Sequence, residues 1–254
     1  MSTLVTTARE RGIATLTLDS PGSRNALSAR LVGELARALE ECGADPGVRA
    51  VLLTHTGPVF SAGADLKAPP GPYTFVELLR AIVELPKPVV ARVTGRARAG
   101  GLGLLGACDI AVAGAGTDFA FTEVRIGVAP AVISLPLLPR LDPRAAGRYY
   151  LTGETFGAAE AVRMGLLTLA AEEGDGADGA GGADRALEPI LAGLRKASPH
   201  GLAAAKRLAT ARVRETFDRD AEDLVQRSAT LFASAEAREG MTAFLERREP
   251  AWEL

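Results

Sequence analysis

The sequence predicts an α/β fold followed by a purely helical C-terminal part. Three observations carry this prediction. Short apolar runs alternate with helical patterns, Gly-rich stretches sit at the junctions, and from about residue 185 only helical spacing remains. The chain has 254 residues, 47% of them hydrophobic and 24% charged, enough for one large domain with an appended helical segment.

In chain order, "GIATLTLD" (12–19) alternates apolar and polar residues as a half-buried strand does, and "PGSRN" behind it reads as a turn. Ser28 is placed to N-cap a helix in which Leu31, Leu35, Leu39 and Cys42 recur every three or four residues, until "GADPG" stops the pattern. "RAVLLT" (49–54) follows as a buried strand, "TFVELLRAIVELP" as a helix, and "KPVVARVTG" as a strand introduced by Pro88. Then come a Gly-rich segment through Gly106, strands "DIAVAG" and "DFAFT", and helical material around "PLLPRLDPRAAGRYYLTG". The helical remainder runs through "DRALEPILAGLRKAS", "GLAAAKRLATARVRE", "FDRDAEDLVQRSATLFAS" and "EAREGMTAFLERR". We divide the chain into a core over 1–197 and a helical segment over 198–254.

Net charge is −2 and the basic residues are scattered, so neither a nucleic-acid footprint nor a polybasic membrane patch is present. The expected partner is a small molecule. Cys42 and Cys108 lie far apart and outside any metal-ligand spacing, which points to a reducing compartment, the cytoplasm by default, and to no metal. The first residues lack an apolar signal core, and no run reaches the roughly 18 apolar residues of a spanning helix. The Gly- and Asp-rich stretch from Glu172, "EEGDGADGAGGAD", lacks the alternating ligands and closing Glu of a calcium loop and reads as a solvated, flexible connection.

Two small-residue stretches carry the chemistry. "GLGLLG" (101–106) matches the GxGxxG of dinucleotide folds, with Glu123 about 20 residues on, but "RARAG" separates it from the strand "PVVARVTG", so the context of that motif is missing. A second reading takes "SAGADLK" (61–67) and "AGGLG" (99–103) together. Each follows a strand by a short loop, and small side chains let a ligand reach backbone N–H groups. Two such N–H groups brought to one point polarise a carbonyl oxygen. Either stretch alone is better read as close packing between helix and sheet, and it is the pair that shifts the balance toward a binding role.

"GPVFSAGADLK", "VTGRARAGGLGLLGACDIAVAG", "FAFTEVRIGVAP" and "EGMTAFLERREPAW" together resemble the enoyl-CoA hydratase/isomerase family, the crotonase superfamily, in order along nearly the whole chain. The resemblance implies a ClpP/crotonase spiral of ββα units with a C-terminal helical subdomain, and a coenzyme A thioester as substrate with no separate cofactor. It implies that the N–H groups of Ala64 and Gly100 form the oxyanion hole and that Ala62, Asp65, Leu66, Lys67 and Gly101 neighbour the CoA. Lys67 is equally an ordinary solvated lysine.

By the same resemblance, Val128, Pro130 and Ala131 line the acyl site. The helical tail packs on neighbouring subunits of a homotrimer or hexamer, where Phe244 and Arg247 cover the acyl chain or meet a CoA phosphate. "MTAFLERR" is otherwise a plain packing helix. Of the two glutamates used by family hydratases, the second falls on Glu123 and the first on Gly103, which has no side chain to act with. One glutamate suits an isomerase, and also suits relatives that hydrate branched, glutaconyl-type thioesters, to which "EVRIGVAPAVIS" is similar. The expectation is an enoyl-CoA hydratase, a lyase of fatty acid metabolism, with an enoyl-CoA isomerase, a hydrolase or decarboxylase of the same fold, an idle CoA-binding subunit and an NAD-linked dehydrogenase as alternatives. Glu123 paired with Arg125 on the surface is the plain structural alternative, and His55 is expected in a loop without catalytic duty.

Overall fold

Residues 3–172 and 180–253 are described by a computed structural model of the chain. The first strands and helix are β1 (Val5–Glu10), β2 (Ile13–Leu18) and α1 (Ala29–Ala44). Two strands and a helix then repeat: β3 (Ala50–His55), β4 (Val59–Ser61) and α2 (Pro72–Glu84), followed by β5 (Val89–Val93), β6 (Arg96–Arg98) and α3 (Gly100–Ala107). A third pair, β7 (Ile110–Ala113) and β8 (Asp118–Ala120), leads through a 3-10 turn (Glu123–Ile126) into α4 (Ser134–Leu137) and α5 (Pro143–Thr152). The chain continues with β9 (Phe156–Gly157), α6 (Ala158–Arg163) and β10 (Leu169–Ala170). It ends with α7 (Ala180–Lys196), α8 (Pro199–Ala209), α9 (Ala211–Phe232) and α10 (Ala235–Glu246).

β1 and β2 share one sheet, whereas each later pair, β3/β4, β5/β6 and β7/β8, places its first strand in that sheet and its second in another. The large sheet has the order β1-β2-β3-β5-β7-β10 and is parallel except for β1; the small sheet has the order β4-β6-β8-β9, with β4, β6 and β8 parallel. This is the spiral of the crotonase fold. Both faces of the large sheet are covered, as parallel sheets require. Leu16, Leu18, Val51, Leu53, Val89, Ala91 and Val93 face the main core beneath α1 to α3, while Ile13, Ala50, Val90 and Val112 meet Leu187 and Leu191 of α7 on the other face. The alternation follows from the two-residue repeat of a strand.

Ser28 accepts from Leu31 N and caps α1, whose Leu31, Leu35, Leu39 and Cys42 are all buried, as the spacing predicts. Several details depart from the sequence reading. Helix begins at Ala180 rather than near 185, the Gly-rich segment is itself the helix α3, and β1, β9 and β10 add strands. The stretch read as a solvated connection falls on residues 173–179, outside the described ones, and on the start of α7. "RAR", read as a spacer, is strand β6, so α3 does follow a strand after one residue. Every residue of α3 is buried, and an added methyl at Gly101, Gly103 or Gly106 would come within 3.0 Å of Ser61, Ile133 or Leu137. No room remains there for a pyrophosphate.

His55 is not a loop residue either. It ends β3, is buried, and its Nε2 accepts from Thr94 N at 3.1 Å, which ties together the two bends where the chain changes sheets. Burial lowers its pKa, which suits a neutral ring acting as acceptor.

Lys206 of α8 draws three elements together. Its Nζ donates to Ile82 O at 2.8 Å and Lys87 O at 3.0 Å and lies 2.8 Å from Asp109 Oδ2, which also accepts from Val89 N at 2.7 Å. Burial pushes the lysine down and the aspartate up, each toward its neutral form, so the pair depends on the hydrogen bonds that Lys206 Nζ and Asp109 Oδ2 make. Lys206→Met leaves Asp109 without its countercharge and is expected to cost about 3 kcal/mol, read as a lower urea midpoint at unchanged slope.

Candidate active site

The C-terminal ends of three neighbouring parallel strands, β4, β6 and β8, release the three segments that the sequence singles out. Ala62–Lys67 follows β4, Ala99–Gly103 follows β6, and Phe121–Glu123 follows β8. The strands that deliver them are these short ones, not "RAVLLT" and "KPVVARVTG" of the large sheet, because each ββα unit changes sheet before it reaches the site. Arg96 and Arg98 of β6 both pair with Asp118 of β8, and Arg98 Nη1 also donates to Asp118 O at 2.9 Å. Ligands of α/β proteins bind at such carboxyl ends of strands.

The first two segments touch through their backbones. Gly63 has φ +89°, and a methyl there would lie 2.9 Å from Ala99 Cβ and 3.6 Å from Gly100 N. A side chain at 63 would therefore separate the loops. Leu27 N donates to Gly63 O at 2.8 Å and Leu27 O accepts from Asp65 N at 3.1 Å. In such a parallel bridge the residue between, Ala64, aims its own N–H the other way. Gly100 is the first residue of α3, where an N–H has no acceptor in its helix. Neither N–H has an acceptor among the described residues. Ala99 holds φ 47° and ψ −119°, a conformation non-glycine residues avoid, and its N–H donates to Ala120 O at 3.1 Å.

Two buried polar residues that sequence reasoning did not single out hold the first loop. Asn25 Nδ2 donates to Thr56 O at 3.1 Å and Val59 O at 2.8 Å, and its Oδ1 accepts from Ser20 N at 2.7 Å. Ser61 Oγ donates to Asn25 O at 2.9 Å and accepts from Gly63 N at 3.2 Å. The signal in the sequence was an Asn in a tight turn and a Ser ending an apolar run.

Glu123 opens the 3-10 turn and is 9% exposed. Its Oε2 is buried without a hydrogen-bond partner, and it has no ion pair with Arg125 among the described residues. Burial pushes its carboxyl from 4.5 up to about 7, which suits a proton carrier near neutral pH. Val128 and Pro130 are buried just beyond it, and Ala131 is half-buried. Leu27 and Phe75 close over Gly100, where a methyl would lie 2.9 and 3.5 Å from their side chains.

Position 103 is filled from outside. A methyl on Gly103 would lie 2.6 Å from Ile133 Cγ2 and 3.1 Å from its Cβ, so Ile133 takes the space that a side chain at 103 would enter. The sequence showed the missing carboxylate but not its substitute.

The remaining residues are less enclosed. Ala62, Ala64 and Lys67 are exposed and Asp65 and Leu66 half-buried. Asp65 Oδ1 accepts from Lys67 N at 2.9 Å, which shapes the loop. α10 packs on the turn that carries Glu123, yet Phe244 near its end is 63% exposed and Arg247, which closes it with φ 56°, faces solvent. A cleft of about 650 Å³ lies between Ser134, Leu138 and Pro139 on one side and α9 on the other, walled by Arg212, Arg219 and Arg227 with Glu215, Asp220 and Asp223.

With this geometry the comparisons are direct. The family described as enoyl-CoA hydratase/isomerase matches residues 8–254. A protein of Thermus thermophilus named as an enoyl-CoA hydratase is 34% identical, over 95% of this chain and 98% of its own. The carnitinyl-CoA dehydratase of Escherichia coli O157:H7 is 30% identical over 99% of both chains. A crystal structure from Mycobacterium avium paratuberculosis K-10, named as an enoyl-CoA hydratase, is 51% identical with a TM-score of 0.91, covering 99% of this chain and 100% of that one. The fold is thus that of the crotonase superfamily. The chain belongs to the enoyl-CoA hydratase/isomerase family.

Two predictions follow from Gly103 and Glu123. Gly103→Glu is expected to destabilise by about 1–3 kcal/mol through overpacking, and Ile133→Ala in the same chain to restore part of the loss, compared by urea midpoints. Between pH 4.5 and about 7 folded Glu123 keeps a proton that the unfolded chain releases, so stability falls as pH rises through that window and levels above it. In Glu123→Gln this fall, up to about 3 kcal/mol, should be absent from melts across the pH range.

Proposed function

We propose that the chain is an enoyl-CoA hydratase acting on an acyl-CoA thioester, the class printed for the family and for relatives such as the Thermus thermophilus protein. The carrying observation is Glu123: a buried carboxyl with an unpartnered oxygen, placed beside two strand ends that offer free N–H groups. In this reading the N–H groups of Ala64 and Gly100 hold the thioester oxygen and stabilise the enolate that forms there. Ionised Glu123 takes a proton from water as the water oxygen bonds to the β-carbon, and the double-bond electrons move to the thioester oxygen. The same proton then passes from Glu123 to the α-carbon as the enolate collapses. One carboxyl acts first as base and then as acid, which a pKa of about 7 suits at neutral pH.

Ala62, Asp65, Leu66, Lys67 and Gly101 would lie along the CoA, and Val128, Pro130 and Ala131 along the acyl group. Phe244 and Arg247, exposed on α10, would reach an acyl chain or a CoA phosphate across a trimer or hexamer interface. The carnitinyl-CoA dehydratase name among relatives supports a branched or substituted acyl group. One observation favours an isomerase instead: with Ile133 filling the space at Gly103 there is a single carboxyl, enough to carry a proton from one carbon to another.

Ultraviolet absorbance of the conjugated thioester separates these. Loss of signal from a 2-enoyl-CoA is expected, and Glu123→Gln should slow it at least about a hundredfold while acyl-CoA binding is kept. Gain of signal from a 3-enoyl-CoA with none lost from the 2-enoyl substrate would make the enzyme an isomerase, and turnover untouched by Glu123→Gln would sink the assignment of that residue.

A further inference from the structure

The first turn of α3 is walled by side chains from three separate segments. At Gly100 an added methyl would lie 2.9 Å from Leu27 Cδ1, 3.5 Å from Phe75 Cζ and 3.6 Å from Phe75 Cε1. At Gly103 it would lie 2.6 Å from Ile133 Cγ2. Residues three apart share a helix face and stand about 4.5 Å apart along the axis, so Phe75 and Ile133 close one face of α3 a single turn apart. All three side chains are hydrocarbon and all three are buried.

The seating of α2 holds Phe75 in this position. Phe75 belongs to the buried row of α2 with Val76, Leu78, Leu79, Ile82 and Val83, and the helix packs against α1, α3 and α9. Toward α9, the Tyr73 hydroxyl donates to Glu222 Oε1 at 2.7 Å and Arg80 Nη1 donates to Asp218 Oδ1 at 2.6 Å. The Arg80 guanidinium also lies 5.3 Å from the centre of the Phe217 ring. Tyr73 and Arg80 flank Phe75 along the chain, so the helix cannot retreat from Gly100 without breaking one of these contacts.

We propose that Phe75 is the specificity-determining residue of the acyl site and that it restricts the substrate to thioesters of short acyl chains. This rests on the reading of the chain as a hydratase whose Gly100 N–H holds the thioester oxygen. With the oxygen at that N–H, the acyl chain starts beside the first turn of α3, and side chains meet it within that turn: Leu27 and Phe75 at Gly100, Ile133 at Gly103. A longer chain has to displace one of them. Leu27 is fixed by its backbone, which donates to Gly63 O at 2.8 Å and accepts from Asp65 N at 3.1 Å on the loop that carries Ala64. Ile133 fills the space against Gly103 that α3 needs closed. Phe75 meets Gly100 only with the tip of its ring, so its length sets the reach of the site without moving either N–H group.

Phe75→Leu removes the Cε and Cζ atoms that reach Gly100 and keeps an apolar residue in the buried row of α2. Hydration of crotonyl-CoA, 2-hexenoyl-CoA and 2-octenoyl-CoA is followed by loss of the conjugated absorbance, and kcat/KM is compared across the three. In the wild type it is expected to fall at least about tenfold from crotonyl-CoA to octenoyl-CoA, and Phe75→Leu is expected to narrow that ratio about tenfold, chiefly through a lower KM for the longer substrate. Leu187→Ala, on the opposite face of the large sheet, measures the effect of lost packing alone and is expected to leave the ratio within about twofold. A wild type that hydrates octenoyl-CoA as well as crotonyl-CoA overturns the proposal and leaves the hydratase reading standing. An unchanged ratio in Phe75→Leu, or the same change in Leu187→Ala, also overturns it. A wild type inert on all three substrates removes the hydratase reading first, and the proposal falls with it.

Discussion

The structure depends on bringing two loops into backbone contact with nothing between them. Gly63 at φ +89° and Ala99 at φ 47° face one another across that contact. A conformation like that of Ala99 costs on the order of 1–3 kcal/mol and survives only where its surroundings fix it. They do: β6 is paired on both sides, Ala99 N donates to Ala120 O at the end of β8, and Leu102 N closes back on Ala99 O at 2.8 Å. The buried polar pair of Asn25 and Ser61 plays the same part for the loop after β4, spending its hydrogen bonds on backbone groups that a loop would otherwise leave unpaired.

The ββα repeat divides the work between the two sheets. The inner strands of the large sheet, β2, β3, β5 and β7, are four to six residues long, largely buried, and carry most of the core. Strands of the small sheet are three residues long or shorter, too little to stabilise themselves, and are fixed instead by the helices and by the Arg96, Arg98 and Asp118 cluster. The buried Lys206 and Asp109 pair sits behind this arrangement, joining the end of α2, the start of β5 and the turn into β7.

What was legible in the sequence follows from length and period. α1 has a capping serine and four apolar positions on one face, so its extent could be read; β4, β6 and β8 have three residues each, fewer than two repeats of a strand, and only the small residues after them betrayed the site. β1, with five of its six residues exposed, shows no apolar alternation at all. Glu123 was legible because the residues around it resemble a family, whereas its orphaned oxygen is a property of packing. Ile133 lies 30 residues along the chain from Gly103, whose space it fills, and no local pattern links residues so far apart.

The interlock of Gly103 with Ile133 also bears on ancestry. A carboxylate at 103 and an isoleucine at 133 exclude one another, so neither order of single changes is neutral: acid first meets an occupied site, and a smaller residue at 133 first leaves a hollow beside α3. With the glycine and the isoleucine locked together in this way, a second acidic group for the site would have to come from the other walls of the pocket rather than from position 103.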